Sequence, residues 1–384
     1  MSTKSDDNID IEDEELGTPQ ITHPFDPQVI KIIHESVNLG SLIENLENNE
    51  IDLSPAFQRK SGLWSNIQKS RLIESLILGL PLPTFFFADE TRFNEITGNN
   101  KSILLVVDGL QRLCTIQEFV IDKTLKLSNL EFLHDSHDGK KYDDLSREEQ
   151  RKIKGSRITT SIIEEGNPPL VKFIIFRRIN TGGLTLNEQE IRHALNQGLP
   201  ADFLQDLAVS KEFIEATDGV IKTDRMLDRE FINRFLAFYI LGYDEKYSGD
   251  IELFLANGLN AINLENKNTI KDIKESFTRS MKCAITIFGN DAFRKPRSEK
   301  NQRRKALSKA IFDTLSVNLA KLTQAEVDVL ILHKSTFLDK FNRLFLEDTE
   351  FFNSVSNATG TPKHVFFRFK KIREIILEVI ENDY

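Results

Sequence analysis

Between Ile103 and Val107 the chain is continuously apolar. It then reads Asp108-Gly109-Leu110-Gln111-Arg112, after which Leu113, Ile116, Phe119 and Val120 recur at helical spacing. This pattern predicts a buried strand, a glycine turn and the start of a helix. The strand delivers the Asp108 carboxylate to its end, and the first amides of the helix have no intrahelical partner. Free N–H donors at the positive end of a helix attract anions, phosphate above all. Arg112, in the first turn, can add a two-pronged contact to the same phosphate. Asp108 can hold Mg²⁺ or position a water, because Mg²⁺ takes one or two carboxylates and fills its other positions with phosphate oxygens and water. The plainer alternative is a capped helix in which Asp108 satisfies amides and Arg112 sits in solvent.

Three further stretches carry candidate chemistry. Gln58 and Arg59, in Pro55-Ala56-Phe57-Gln58-Arg59 before Trp64, directly follow an extended segment and can project into a shared cleft. A loop arginine in a surface ion pair, worth about 0–1 kcal/mol, explains them equally well. Arg177 and Arg178 precede Asn180-Thr181-Gly182-Gly183, which can turn sharply while presenting backbone donors, a nest suited to anions; Arg192 follows in the next helix. A helix C-cap with Gly182 in the left-handed region fits the same turn but leaves the clustered arginines unexplained. Finally, Arg294, Lys295, Arg297, Lys300, Arg303, Arg304, Lys305 and Lys309 crowd one stretch with a single acid, Glu299. Such a patch suits DNA phosphates, although a solvated helix face or a contact with an acidic segment accounts for it too. His134 and His137 lie in a polar loop without a third ligand, so solvated histidines are expected there rather than a metal site.

The elements that must hold these residues follow from periodicity. Ser41 can cap a short helix carrying Leu42, Ile43 and Leu46, and Ile51-Asp52-Leu53 is extended. Ser65 can cap a helix with the stripe Leu72, Ile73, Leu76 and Ile77, stopped by Gly79. Pro81 and Pro83 lead into Thr84 to Phe87, which reads as a strand. Ser146 to Glu149 and Asn187 to Glu190 have the form of capping boxes. Arg157 to Ile163 reads as a strand, while Leu170 to Ile179 suits helix or strand. From Ala201 onward the patterns are helical throughout, and the basic stretch leads into a helix at about Arg303. The expected organisation is α+β: an acidic, disordered tail over 1–30, with solvation favoured over DNA mimicry; a sheet-containing domain over 31–200; and an all-helical domain over 201–384.

Bulk properties narrow the class. The 28 Phe, against one Trp and five Tyr, are packing material. A net charge of −9 excludes a protein that coats nucleic acid through a global basic field. Two cysteines, Cys114 and Cys283, sit in separate apolar helical patterns, which excludes a disulfide framework. The N-terminus lacks the layout of a signal peptide and no apolar run can span a bilayer, so a cytoplasmic protein is expected.

Four motifs in order carry a resemblance. They are Pro55, Gln58, Arg59 and Trp64; Arg71 to Gly79 with Pro81 and Pro83; Asp108 to Arg112; and Arg178 to Gly183 with Leu186, Glu190, Ile191 and Arg192. Across about residues 37–200 the chain resembles the N-terminal domain of GmrSD-type modification-dependent restriction systems. That resemblance implies a ParB/sulfiredoxin-like fold in which these segments converge on a nucleotide site. Asp108, Gln111 and Arg112 would be its catalytic centre, with Asp108 also the metal ligand. Gln58, Arg59, Gly109, Arg178, Asn180, Thr181, Gly182, Gly183 and Arg192 would bind the nucleotide. The implied cofactors are Mg²⁺ and an NTP, with ATP, GTP and CTP undistinguished. The implied role is sensing or restricting DNA in bacterial anti-phage defence, alone or with a separate nuclease subunit. Leu110 stands where the best-studied family pattern has Gln. The terminal His-Asn-His nuclease of longer relatives has no counterpart, since His333 and His364 are far apart. Two alternatives stand beside this reading: a metal-dependent nuclease acting at Asp108 itself, and a non-catalytic adaptor.

Overall fold

The computed structural model describes residues 11, 12, 14, 30–53, 64–94, 99–167, 169–179, 187–196, 198–244, 246–297 and 304–381. Two compact units divide the chain, one formed by 25–195 and the other by 1–24 with 196–384. The fold is α+β, with the strands confined to the first unit.

In the sheet unit the order along the chain is β1 (Ile32–Asn38), α1 (Leu39–Glu47), β2 (Ile51–Asp52), α2 (Asn66–Leu78), β3 (Phe85–Asn94), β4 (Asn99–Asp108) and α3 (Leu110–Ile116). There follow α4 (His134–His137), α5 (Arg147–Gly155), β5 (Arg157–Ile163), α6 (Pro169–Ile179) and α7 (Glu188–Leu195). A short π-helical stretch, Gln117–Ile121, prolongs α3. The ambiguous Leu170–Ile179 segment is thus helical.

Local chemistry fixes most boundaries. Ser65 and Gln68 form a reciprocal capping box at the start of α2, and Gly79 ends it at φ +80°. Ser146 and Glu149 do the same for α5, and Asn187 and Glu190 exchange equivalent bonds before α7. Ser41, by contrast, lies inside α1 rather than at its cap, because the helix already starts at Leu39.

The five strands are ordered β1-β5-β3-β4-β2. β3 is antiparallel to β4 and parallel to β5, while β1 runs antiparallel to β5 and β2 parallel to β4. One face buries Phe85, Phe87 and Val106 against Leu72, Ile73, Leu76, Leu113, Ile116 and Phe119. Each such side chain contributes about 1.5–3 kcal/mol on burial. β4 is an interior strand, flanked by β3 and β2, whose C-terminal residue, Asp108, is positioned by the core. Its partner Phe86 lies beside a register irregularity at Phe86/Phe87, a local bend of the kind that re-aims side chains.

The second unit is helical: α8 (Leu199–Ala208), α9 (Lys211–Ala216), α10 (Leu227–Leu241), α11 (Ile251–Ile262), α12 (Lys267–Phe288), α13 (Lys309–Ala320), α14 (Gln324–Leu332), α15 (Lys334–Glu347), α16 (Thr349–Ser354) and α17 (Pro362–Glu381). α13 is buried on every side from Ala310 to Ala320. Phenylalanines explain how it is gripped: Phe213, Phe231 and Phe293 each meet Phe312 edge-on. The helix expected at about Arg303 begins at Lys309 instead, and Arg294 and Leu307 pair in an antiparallel bridge ahead of it; Arg303 itself lies outside the described residues.

The acidic N-terminal segment also departs from expectation. Ile11 pairs with Leu307, Glu12 N–H donates to the Leu307 carbonyl at 2.8 Å, and Glu14 enters a buried charge cluster. Solvation does not describe these three residues: Ile11 packs on the helical core, Glu12 pairs with Lys295, and Glu14 pairs with the buried Arg234. The rest of the expected tail, apart from Ile30, lies outside the described residues.

Candidate functional site

The Asp108–Arg112 turn is built as strand, glycine and helix. Gly109 has φ +104°, and a Cβ there would lie 2.5 Å from Cδ1 of Phe85. Both conformation and space therefore demand glycine. Leu113 N–H closes the first helical bond onto the Gly109 carbonyl at 2.9 Å. Leu110 packs on the apolar core, so the position where the family pattern has Gln serves packing here.

Arg112 fits neither expectation made for it. Its guanidinium is almost fully buried and lies 4.3 Å from the centre of the Phe85 ring. One terminal nitrogen donates to Asp108 Oδ2 at 2.7 Å and to the Thr84 carbonyl at 3.2 Å, and the other donates to the Pro83 carbonyl. It is an internal clamp that ties the end of β4 to the entry of β3. Burial pulls its pKa down and Asp108 opposes that shift. The available sequence signal was Pro83-Thr84-Phe85, two carbonyls needing donors followed by an aromatic face.

What the clamp leaves available is the other half of Asp108. Its side chain is 34% exposed, and Oδ1 has no hydrogen-bond partner among the described residues. Gln111 is half-buried in the first turn of α3, its carbonyl accepting from Thr115 Oγ1 at 2.7 Å. A single open carboxylate oxygen fits one position around Mg²⁺, with water and phosphate supplying the rest. Among the described residues no group of three or more His, Cys, Asp or Glu is placed to hold a metal. Cys114, in the same helix, is pushed up to about 11 by burial, which suppresses its nucleophilic thiolate form at neutral pH.

Other expected site residues separate into groups. α6 packs on β4 and α7 packs on α6, so the third motif is anchored to the strand that carries Asp108. Within it Arg178 is exposed, while Arg192 is buried and bonds Gln189 through Nε at 3.0 Å. Gln58, Arg59 and Asn180, Thr181, Gly182 and Gly183 lie outside the described residues. His137 is buried and bonds Glu149 at 2.7 Å and Ser136 at 2.7 Å, whereas His134 is exposed beside Asp135. His137 is thus part of the fold's internal bonding, while His134 lies at the surface.

The described part of the basic stretch is largely paired rather than a free positive surface. Arg294 is buried and donates to the Lys305 carbonyl at 2.7 Å. Lys295 pairs with Glu12, Arg297 with Asp291, Arg304 with Asp218 and Asp291, and Lys309 with Glu230. Acids distant in sequence neutralise these cations, which composition over a local window does not reveal. Lys305 is half-buried, and Lys300 and Arg303 lie outside the described residues.

The sheet unit is thus an α+β domain in which an interior strand presents a clamped carboxylate at a helix start. Residues 39–196 match the model of the GmrSD restriction endonuclease, N-terminal domain. No curated protein and no solved structure matches the chain. No helix among the described residues is long and apolar enough to cross a membrane.

Proposed function

We propose that the protein is a nucleotide-dependent, DNA-sensing or restriction-associated component of a bacterial anti-phage system, and that it binds and hydrolyses an NTP at the Asp108 turn. The sheet unit is read as ParB/sulfiredoxin-like. The observation that carries the proposal is the half-exposed Asp108 carboxylate. One oxygen is locked by Arg112 and the other is open, at the mouth of a helix in a domain that matches a restriction-family model.

The roles shift from those first expected. Arg112 acts as a positioning residue, since three of its five N–H groups are engaged by Asp108 and two carbonyls. Phosphate charge would then fall to the first-turn amides of α3, Gln111, and the walls contributed by Gln58, Arg59, Arg178 and Asn180 to Gly183. Asp108 would hold Mg²⁺, which supplies charge neutralisation at the phosphates when bound. DNA contact would fall partly to Arg297, Arg304 and Lys305. The exposed or half-exposed ion pairs of Arg297 and Arg304 are weak enough to exchange an acid for a phosphate.

Purified full-length protein incubated with Mg²⁺ and ATP, GTP or CTP, with and without plasmid, tests this reading. Phosphate release without nicking supports it. Nicking without nucleotide indicates a nuclease at the same turn, and nucleotide binding without turnover an adaptor. Asp108→Asn keeps the acceptor for Arg112 but removes the charge, so turnover should fall about 100-fold or more while the melting temperature changes little. An unchanged rate removes Asp108 from the chemistry.

A further inference from the structure

A second anion receptor lies in the helical unit, and the chain's own N-terminal segment fills it. Arg234 on α10 is 2% exposed and Asp313 on α13 is fully buried; the two meet through Nε at 2.9 Å and a terminal nitrogen at 2.7 Å. The guanidinium's outward edge grips Glu14, with bonds of 3.0 Å to Oε2 and 2.8 Å to Oε1. Thr359 Oγ1 donates to the same Oε1 at 3.1 Å. Arg368, 1% exposed, stands behind Asp313 at 3.7 Å, with its Nε unpartnered. Two buried guanidinium groups therefore face one buried carboxylate from the helical fold itself. The second negative charge comes from a residue 220 positions away from Arg234.

Around Glu14 the remaining groups are those that recognise a phosphate. A small pocket beside its carboxylate is lined by Glu12, Ser308, Lys309, Ser356 and Thr359, and the buried Ser356 hydroxyl has no hydrogen-bond partner among the described residues. Ser308 occupies the cap position of α13 without making a side-chain cap bond. A guanidinium edge, an ammonium, three hydroxyls and a helix start together favour a tetrahedral oxyanion. Opposing acids are present and are already engaged: Asp313 with Arg234, Glu230 with Lys309, and Glu12 with Lys295.

The described part of the segment is tied by its backbone at Leu307, by Ile11 packed on the core, and by the Glu12 and Glu14 carboxylates. Contacts of this kind can be exchanged for those of a competing anion.

We propose that Arg234, Thr359, Ser356 and the start of α13 form a phosphate-binding site, and that Glu14 occupies it as a built-in competitor which a phosphate-bearing ligand displaces. The proposal stands independently of the Asp108 reading.

The test uses the full-length chain. Glu14→Gln should lower the melting temperature in a phosphate-free buffer. Inorganic phosphate should restore it in a saturable manner that NaCl of equal ionic strength does not reproduce. Adding Arg234→Gln to that variant should abolish the rescue. Running the same titration with a nucleoside triphosphate and with a short DNA strand separates the sources: rescue by the small anions alone marks a nucleotide or free-phosphate site, and rescue by the strand at stoichiometric amounts marks a phosphodiester site. Rescue no greater than that of NaCl overturns the proposal and leaves Glu14 a structural ion pair. Should Glu14→Gln fail to fold, amide exchange in the unaltered chain decides. Phosphate should accelerate exchange of the Glu12 N–H at least several-fold over matched NaCl, and unchanged protection overturns the proposal.

Discussion

Two arginine–carboxylate clusters in this protein use the same chemistry at opposite extremes of sequence distance. Asp108 and Arg112 are one helical turn apart, and the carboxylate keeps a third of its surface in water. Glu14, Arg234, Asp313 and Arg368 come from four distant segments, and the last three are essentially sealed from solvent. In the first cluster one carboxylate oxygen stays open, so the clamp orients a group that can still bind something. In the second, Asp313 is engaged on both oxygens and the charges interlock, so what it controls is whether the helices around α13 hold together. The contrast separates positioning a reactive group from neutralising a core.

The largest expected effect breaks the second cluster. Asp313→Asn keeps the shape but leaves two buried guanidinium groups with Glu14 and, at 4.0 Å from Arg234, Glu230 as the remaining acids. Removing one member of a buried charge pair costs about 3–5 kcal/mol, which denaturant unfolding would register as a marked fall in the midpoint. The equivalent change in the first cluster, Asp108→Asn, should cost far less stability, because solvent reaches the site. A comparable loss in both variants would erase the distinction.

Next comes Gly109→Ala, which probes the turn without touching a charge. The new methyl group would stand 2.5 Å from Phe85 and would also force alanine to adopt φ +104°. Overpacking and strain of this kind cost about 2–3 kcal/mol together. Because Phe85 also carries the Arg112 guanidinium, nucleotide binding should weaken along with stability. Thermal unfolding and a nucleotide titration on the same sample would check this, and a stable variant with full binding would show that the clamp is dispensable.

How much of this was legible depended on how local the physics was. Ser65, Ser146 and Asn187 announced helix starts because their capping partners lie three residues away. Asp108 could be placed at a strand end because Ile103 to Val107 is too apolar to be anything but buried, and the motif Asp-Gly-x-Gln-Arg pointed to a family that residues 39–196 match. The same window misjudged Arg112, since the Pro83 and Thr84 carbonyls and the Phe85 ring that engage it lie about 28 residues away. It misjudged Arg294 to Lys309 and the N-terminal acids for one shared reason. Basic and acidic runs look like solvated surface when each is read alone, yet Lys295 meets Glu12, and Arg304 meets Asp218. Long-range charge pairing leaves no periodic trace in a sequence.

The smallest expected effect sharpens the comparison through pH, using a third carboxylate that lies between the two extremes. Glu149 accepts from Ser146 Oγ at 2.7 Å and from the Ser146 amide at 2.8 Å, and it faces His137 at 2.7 Å. The Ser146 hydroxyl chiefly, with His137 assisting against the opposing effect of burial, lowers its pKa from the ordinary 4.5 to about 2. A carboxylate depressed in the folded state contributes stability that is fully present above its unfolded value and is lost as pH falls through its folded value. The contribution should therefore drain away between pH 4.5 and about 2. Glu149→Gln keeps an acceptor for the cap but removes the titration. It should cost about 1 kcal/mol at pH 7 and flatten the acid limb of the stability profile over that window. Equal slopes in the parent and the variant would mean that the acid sensitivity arises elsewhere, with the buried Asp313 cluster as the next group to test, since protonating that carboxylate uncovers both arginines at once.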